Sequence, residues 1–241
     1  MIHNLPTYIS LTFGLTTIAT LWLFVWAVNN STLESTRKNS NKILIGLSIW
    51  LVVQAFITLR GIYSGDTNVF PPKILLTGIL PTIIVIVLLF LTTKGKQFTD
   101  SLPLQNITYL NIVRIPVEIV LLWLFLHKAV PKLMTFEGRN FDILAGITAP
   151  IIAYLVFTKQ KIGRNGLLLW NVICLGLLLN IVLNALFSVP SPNQKFAFDQ
   201  PNIAILYFPF SWLPTFIVPI VLFGHLVSIR QLLLYRAARA I

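Results

Sequence analysis

Charged side chains are scarce in this sequence: Asp, Glu, Lys and Arg make up only 10% of its 241 residues, against about 25% in a water-soluble domain. That is too little to coat a soluble surface. With 56% hydrophobic residues and a mean hydropathy of +0.83, the composition is that of an integral membrane protein. Acids are the rarer sign, seven against 18 Lys and Arg, for a net charge of +11. In a soluble protein this excess would point to nucleic acid. Here the basic residues sit in short loops between apolar runs, where membrane topology accounts for them, and nucleic acid is set aside as a partner.

Cysteine is nearly absent. Cys174 lies alone inside an apolar run, which excludes an intramolecular disulfide and CxxC chemistry. The three histidines, His3, His127 and His225, fall at different levels of the predicted spans, which argues against a three-histidine zinc site or a two-histidine haem. No GxSxG, HExxH or P-loop occurs. The residues therefore name no cofactor, no metal set and no oligomeric state. The opening "MIHNLPTY" has no basic n-region, so the first apolar run is expected to stay as a span.

What the chain has in abundance is apolar runs of spanning length, about 20 residues each. The pattern predicts seven transmembrane helices near 6–28, 43–62, 73–93, 107–128, 141–158, 166–188 and 204–229. The fold class is thus all-α, a single polytopic membrane domain over 1–241 forming one seven-helix bundle. Eleven basic residues (Arg37, Lys38, Lys42, Lys94, Lys96, Lys159, Lys161, Arg164, Arg230, Arg236, Arg239) fall on one side. Six (Arg60, Lys73, Lys128, Lys132, Arg139, Lys195) fall on the other. The excess of Lys and Arg on cytoplasmic loops then puts the N-terminus outside and the C-terminus in the cytoplasm, in a bilayer expected to be a prokaryotic inner membrane. The outline resembles microbial rhodopsins and seven-helix receptors in topology alone, since the last span has no lysine for a retinal Schiff base.

The fourth span, "LNIVRIPVEIVLLWLFLHKAV", departs from this apolar pattern by carrying Arg114 and Glu118 around Pro116. Thr108, Asn111, Arg114 and Glu118 recur at spacings of three, three and four, one helical face. An ionised group at mid-bilayer costs at least about 2.5 to 3.5 kcal/mol, so such a face turns inward and finds partners. Arg114 and Glu118 are spaced to pair with each other, although in the less favourable order, and partners on other helices are expected too. Further polar positions at helical spacing are Gln54 and Thr58, Asn180, Asn184 and Ser188, and Tyr207, Ser211 and Thr215. Most would lie in the outer half, lining a cavity or bonding between helices. In "FEGRNFD", Glu137, Arg139 and Asp142 form the densest charged stretch on the outer side, read as the cavity's mouth or as an ordinary solvated loop.

The functional expectation is that a polar interior pocket open to the outside binds or transports a small ligand. Its candidate residues are Asn111, Arg114, Glu118, Gln54, Asn180, Asn184, Tyr207 and Ser211, with Glu137, Arg139 and Asp142 at the mouth. The alternatives are an intramembrane enzyme using Glu118 as acid or base, and a non-catalytic subunit of another membrane protein. Topology is directly testable: a cysteine placed in "NNSTLESTRKNSNK" should be shielded from an impermeant thiol reagent added outside, and one in "PSPNQKFAFDQPN" should react. The opposite pattern inverts the orientation.

Overall fold

The computed structural model describes residues 2, 5–67, 69 and 71–238, with side chains as far as residue 234. His3, Arg239 and the side chain of Arg236 lie outside the described residues. Every regular element among the described residues is helical. In order these are α1 (Thr7–Asn29), the short α2 (Glu34–Lys38), α3 (Ser40–Leu59), α4 (Leu75–Leu91), α5 (Thr93–Ser101), α6 (Leu104–Leu126), α7 (Ile143–Thr158) and α8 (Arg164–Ser188). The last, α9, opens as a π turn at Leu213–Ile217 and runs on as Val218–Ala238.

Five helices, α1, α3, α6, α8 and α9, are long and apolar enough to cross a membrane, and α4 with α5 makes a sixth if their 92° bend is counted as one broken span. Their outward faces are apolar: Trp22 is 65% exposed and Val52 and Leu91 are each 68% exposed. Contiguous apolar surface of this kind belongs in lipid.

Loop contacts gather the helix ends into two faces. At one, Ser31 Oγ donates to Ser101 Oγ at 2.8 Å, Arg230 grips Asp100 with two bonds of 2.8 and 2.9 Å, and Gln231 Nε2 donates to the carbonyls of Thr99 and Leu102. At the other, Gln200 Nε2 donates to the carbonyls of Val130 and Phe125, and Asn202 N to that of Ser188. The C-terminal ends of α6 and α8 thus share one face, and the C-terminal end of α1 lies at the other, beside Asp100 and Arg230.

Three sequence expectations are corrected. The separator expected between the third and fourth spans contains most of α5, which is capped by Thr92, whose Oγ1 accepts from Gly95 N at 3.2 Å. Its polar composition fits a helix lying across the bundle end rather than through it. The last span, expected from 204, begins at Leu213, and residues 204–206 form a separate 3-10 turn before it. It also continues through the basic tail to Ala238. The fifth span, expected over 141–158, is shorter than a crossing helix, for a reason that lies in the site.

Proline explains how α4 and α9 are held. A proline has no N–H for the carbonyl four residues back. Pro81 thus leaves the Thr77 carbonyl short of a donor, and Gln54 Nε2 of α3 fills the place at 3.1 Å. Pro219 does the same to Thr215, whose carbonyl accepts from Trp50 Nε1 at 2.9 Å. Gln54 Oε1 also accepts from the Tyr63 hydroxyl, and Thr58 Oγ1 donates to Ser211 Oγ at 2.8 Å. Side chains of α3 thereby stitch two proline-broken helices together. Gln54→Leu should lower thermal stability in detergent by about 1 to 3 kcal/mol, the cost of stranding buried polar partners; an unchanged melting curve would show the stitch to be dispensable.

Candidate functional site

Arg114 is only 3% exposed in the middle of α6 and needs an anion at its own depth. Glu118 does not supply it. Among the described residues the ion-pair partner is Asp142, with Nε to Oδ2 at 3.1 Å, and Arg114 Nη2 also reaches the Cys174 carbonyl of α8 at 3.4 Å. From sequence, Arg114 and Glu118 are spaced to pair and partners on other helices are expected too; the partner the structure gives Arg114 is Asp142, read from sequence as part of the mouth. The i, i+4 order was unfavourable for a direct pair, and a better placed acid arrives from another segment.

Asp142 arrives because residues 131–142 fold back into the bundle. Asn140 Nδ2 donates to Glu118 Oε1 at 2.5 Å. Eight residues separate Glu118 from the end of α6, so this contact lies about 12 Å below that end at 1.5 Å per residue. On the other flank Asn180 Nδ2 donates to the Arg139 carbonyl at 2.8 Å, again about 12 Å short of the end of α8. Irregular backbone at such depth survives only where protein or water satisfies it. Asn140 does much of this: it also donates to the Met134 carbonyl at 3.0 Å and accepts from Asp142 N at 3.0 Å. Gly138 allows the return, since a Cβ there would stand 2.8 Å from Leu133 Cα. Starting from this sunken point, α7 is correspondingly shorter than α6 and α8. It lies tight on α6 at Gly146, where a Cβ would come within 2.8 Å of Ile115 Cγ1 and 3.3 Å of Arg114 Cβ.

The cluster is left with unused oxygens. Glu118 is 1% exposed and its Oε2 has no hydrogen-bond partner among the described residues, and the same is true of Asp142 Oδ1. Both residues stand in the wall of a cavity of about 420 Å³ between α4, α6, α8 and α9. The rest of that wall is almost entirely apolar, with Val117, Leu121, Leu178, Ile181, Val182 and Leu213 among its members, and Ser191 and Asn193 near the loops. A second apolar cavity, also of about 420 Å³, lies between α3, α4 and α9, and Pro219 belongs to both walls.

Of the residues singled out in the sequence, Glu118 and Asp142 line this cavity and the others are placed elsewhere. Gln54 and Ser211 belong to the α3 stitching. Asn111 is buried and donates to the carbonyls of its own helix at Ile107 and Thr108. Asn184 donates to Asn180 Oδ1 at 3.3 Å, so the two carboxamides join α8 to the sunken segment. Tyr207 is half-buried beside the small cluster of Tyr63, Ile74, Val189, Ile205 and Leu206. Glu137 and Arg139 are exposed on the sunken segment. His225 is fully buried, its Nδ1 2.9 Å from Asn171 Oδ1, and His127 caps its own helix end at the Trp123 carbonyl. Asn140 was not among the residues the sequence singled out; its turn neighbours mark a bend, but nothing in them says the bend points inward.

One family model matches residues 71–233. The chain belongs to that family, Domain of unknown function (DUF8737). No curated protein and no solved structure matches it. The ion cluster and every residue in the wall of the first cavity, from Pro71 to Leu222, fall inside the matched stretch, whereas α1 and α3 precede it.

Removing one partner of a buried pair strands the other at a cost of about 3 to 5 kcal/mol, while replacing both with apolar residues can be nearly neutral. Arg114→Leu and Asp142→Leu should therefore each destabilise the protein in detergent more than the double replacement does. Simple addition of the two losses would show that the groups are not coupled.

Proposed function

We propose that the protein is a seven-span membrane protein, its N-terminus outside and its C-terminus in the cytoplasm of a prokaryotic inner membrane, that binds a small ligand in the cleft between α4, α6, α8 and α9. In this reading α4 with its bend and the shortened α7 each count as one passage. The observation that carries the proposal is the pair of buried carboxylate oxygens without partners among the described residues, Glu118 Oε2 and Asp142 Oδ1, on two residues of one cavity wall. A buried acceptor left unmade costs free energy, and a ligand in the cleft is a natural way to recover it. The volume lies in the range of small-molecule sites, roughly 300 to 1,000 Å³.

The ligand contacts in this proposal are Glu118, Asp142 and the apolar wall, with Arg114 and Asn140 holding the two acids in place. Asn111, Gln54, Asn180, Asn184, Tyr207 and Ser211 support the framework around them, and Glu137 and Arg139 give the outer approach its charge. The second cavity beyond Pro219 offers a transported ligand a continuation past α4. Catalysis by Glu118 as an acid or base is the alternative reading, with the buried thiol of Cys174 beside Arg114.

Protein transferred from mild detergent into the gas phase should carry a bound non-protein mass. Ala185→Trp, which places a large side chain in the cleft wall, should remove that mass without lowering the melting temperature by more than a few degrees. Identical adducts on the two proteins, or none on the wild type, would count against the cleft as a binding site.

A further inference from the structure

We infer that the cleft selects a hydrophobic organic cation, an apolar body carrying a single positive charge, whose charge is read by Glu118 and Asp142. This rests on the binding reading above and names the chemistry of its ligand.

The wall makes the first selection. With Val117, Leu121, Leu178, Ile181, Val182 and Leu213 facing the space, a hydrophilic solute would strand each of its polar groups without a partner. The charge count makes the second. Arg114 is the single cation of the cluster, it is paired with Asp142, and among the described residues no Lys, Arg or His stands in the cavity wall. Two carboxyl groups thus share one guanidinium, and a cation bound beside Glu118 and Asp142 would favour the ionised form of both. An anion would meet two acids. A neutral apolar molecule would fill the space but leave both free oxygens as they are. Coulomb attraction is strong here because little water competes with it.

The route of entry fits the same class. Leu179 and Leu186 belong to the wall and are also 47% and 36% exposed on the outer surface of α8. The cleft therefore opens sideways, toward lipid, where a hydrophobic cation concentrates and a simple hydrophilic amine does not.

The test uses three probes on the wild-type protein in uncharged detergent, with binding measured by equilibrium dialysis. Tetraphenylphosphonium carries the proposed charge and body. Tetraphenylborate has the same shape and the opposite charge, and tetramethylammonium has the charge without the body. The phosphonium should bind at least tenfold more tightly than either of the others. Glu118→Gln should weaken it at least tenfold, about 1.4 kcal/mol, and Asp142→Asn should do the same if Glu118→Gln does not fold.

Equal binding of phosphonium and borate overturns the charge selection. Equal binding of tetramethylammonium overturns the need for an apolar body. Absence of phosphonium binding overturns the inference as a whole, while the wild-type adducts described above still decide whether the cleft holds anything. Phosphonium binding that survives Ala185→Trp moves the site out of the cleft, and the functional reading falls with it.

Discussion

A guanidinium in the middle of a helix bundle has to be met by an anion at the same depth, and much of the local architecture follows from that requirement at Arg114. The anion is Asp142, delivered by a length of chain that leaves the end of α6 and folds back between the helices. Non-helical backbone in such a place must have its polar groups satisfied by the protein. Asn140 uses both amide hydrogens and its oxygen for this, Asn180 covers the Arg139 carbonyl, and Gly138 makes room for the return. The shortness of α7 and its close approach to α6 at Gly146 are further consequences of the same pairing.

The pairing is incomplete in an informative way. One cation faces two acids, and the acid oxygens left over belong to the wall of an apolar space. Structural ion pairs in membranes normally close on themselves, because an unmatched group is costly there. Much of the remaining polar framework does close. Gln54, Tyr63, Thr58 and Ser211 satisfy one another and the carbonyls that proline frees, and Thr16, Thr17 and Thr20 of α1 bond to their own helix. Asn202 Nδ2 and Oδ1, His225 Nε2 and Ser228 Oγ also lack a partner among the described residues, so what sets Glu118 and Asp142 apart is their place in the cavity wall.

The apolar runs and their order were legible from hydropathy, since an uninterrupted run of about 20 apolar residues matches the thickness of a bilayer and little else. Arg114 and Glu118 were legible for a related reason: a charge inside such a run stands out. Asp142 was visible only as part of a polar loop, because "FEGRNFD" has the composition of solvated chain and a single sequence does not say that a loop turns inward. The same limit hid α5, whose residues are too polar for a span yet form a capped helix. The roles of Gln54 and Ser211 depend on which carbonyls Pro81 and Pro219 leave open, and that is a matter of which helices are neighbours. Periodicity places a residue on a face; it does not say what that face meets.

The abbreviated α7 has a bearing on the bilayer itself. An 11-residue α-helix followed by a five-residue π turn rises roughly 24 Å at about 1.5 Å per residue, against a hydrocarbon layer of about 30 Å. On that flank the exposed Lys132, Glu137 and Arg139 lie beyond its upper end, so acyl chains beside it have to compress rather than cover charge. Hydrophobic mismatch of this kind costs a fraction of a kcal/mol per ångström. A bilayer thinned beside α7 would bring water nearer to Asp142, and a thin membrane would suit the fold better than a thick one.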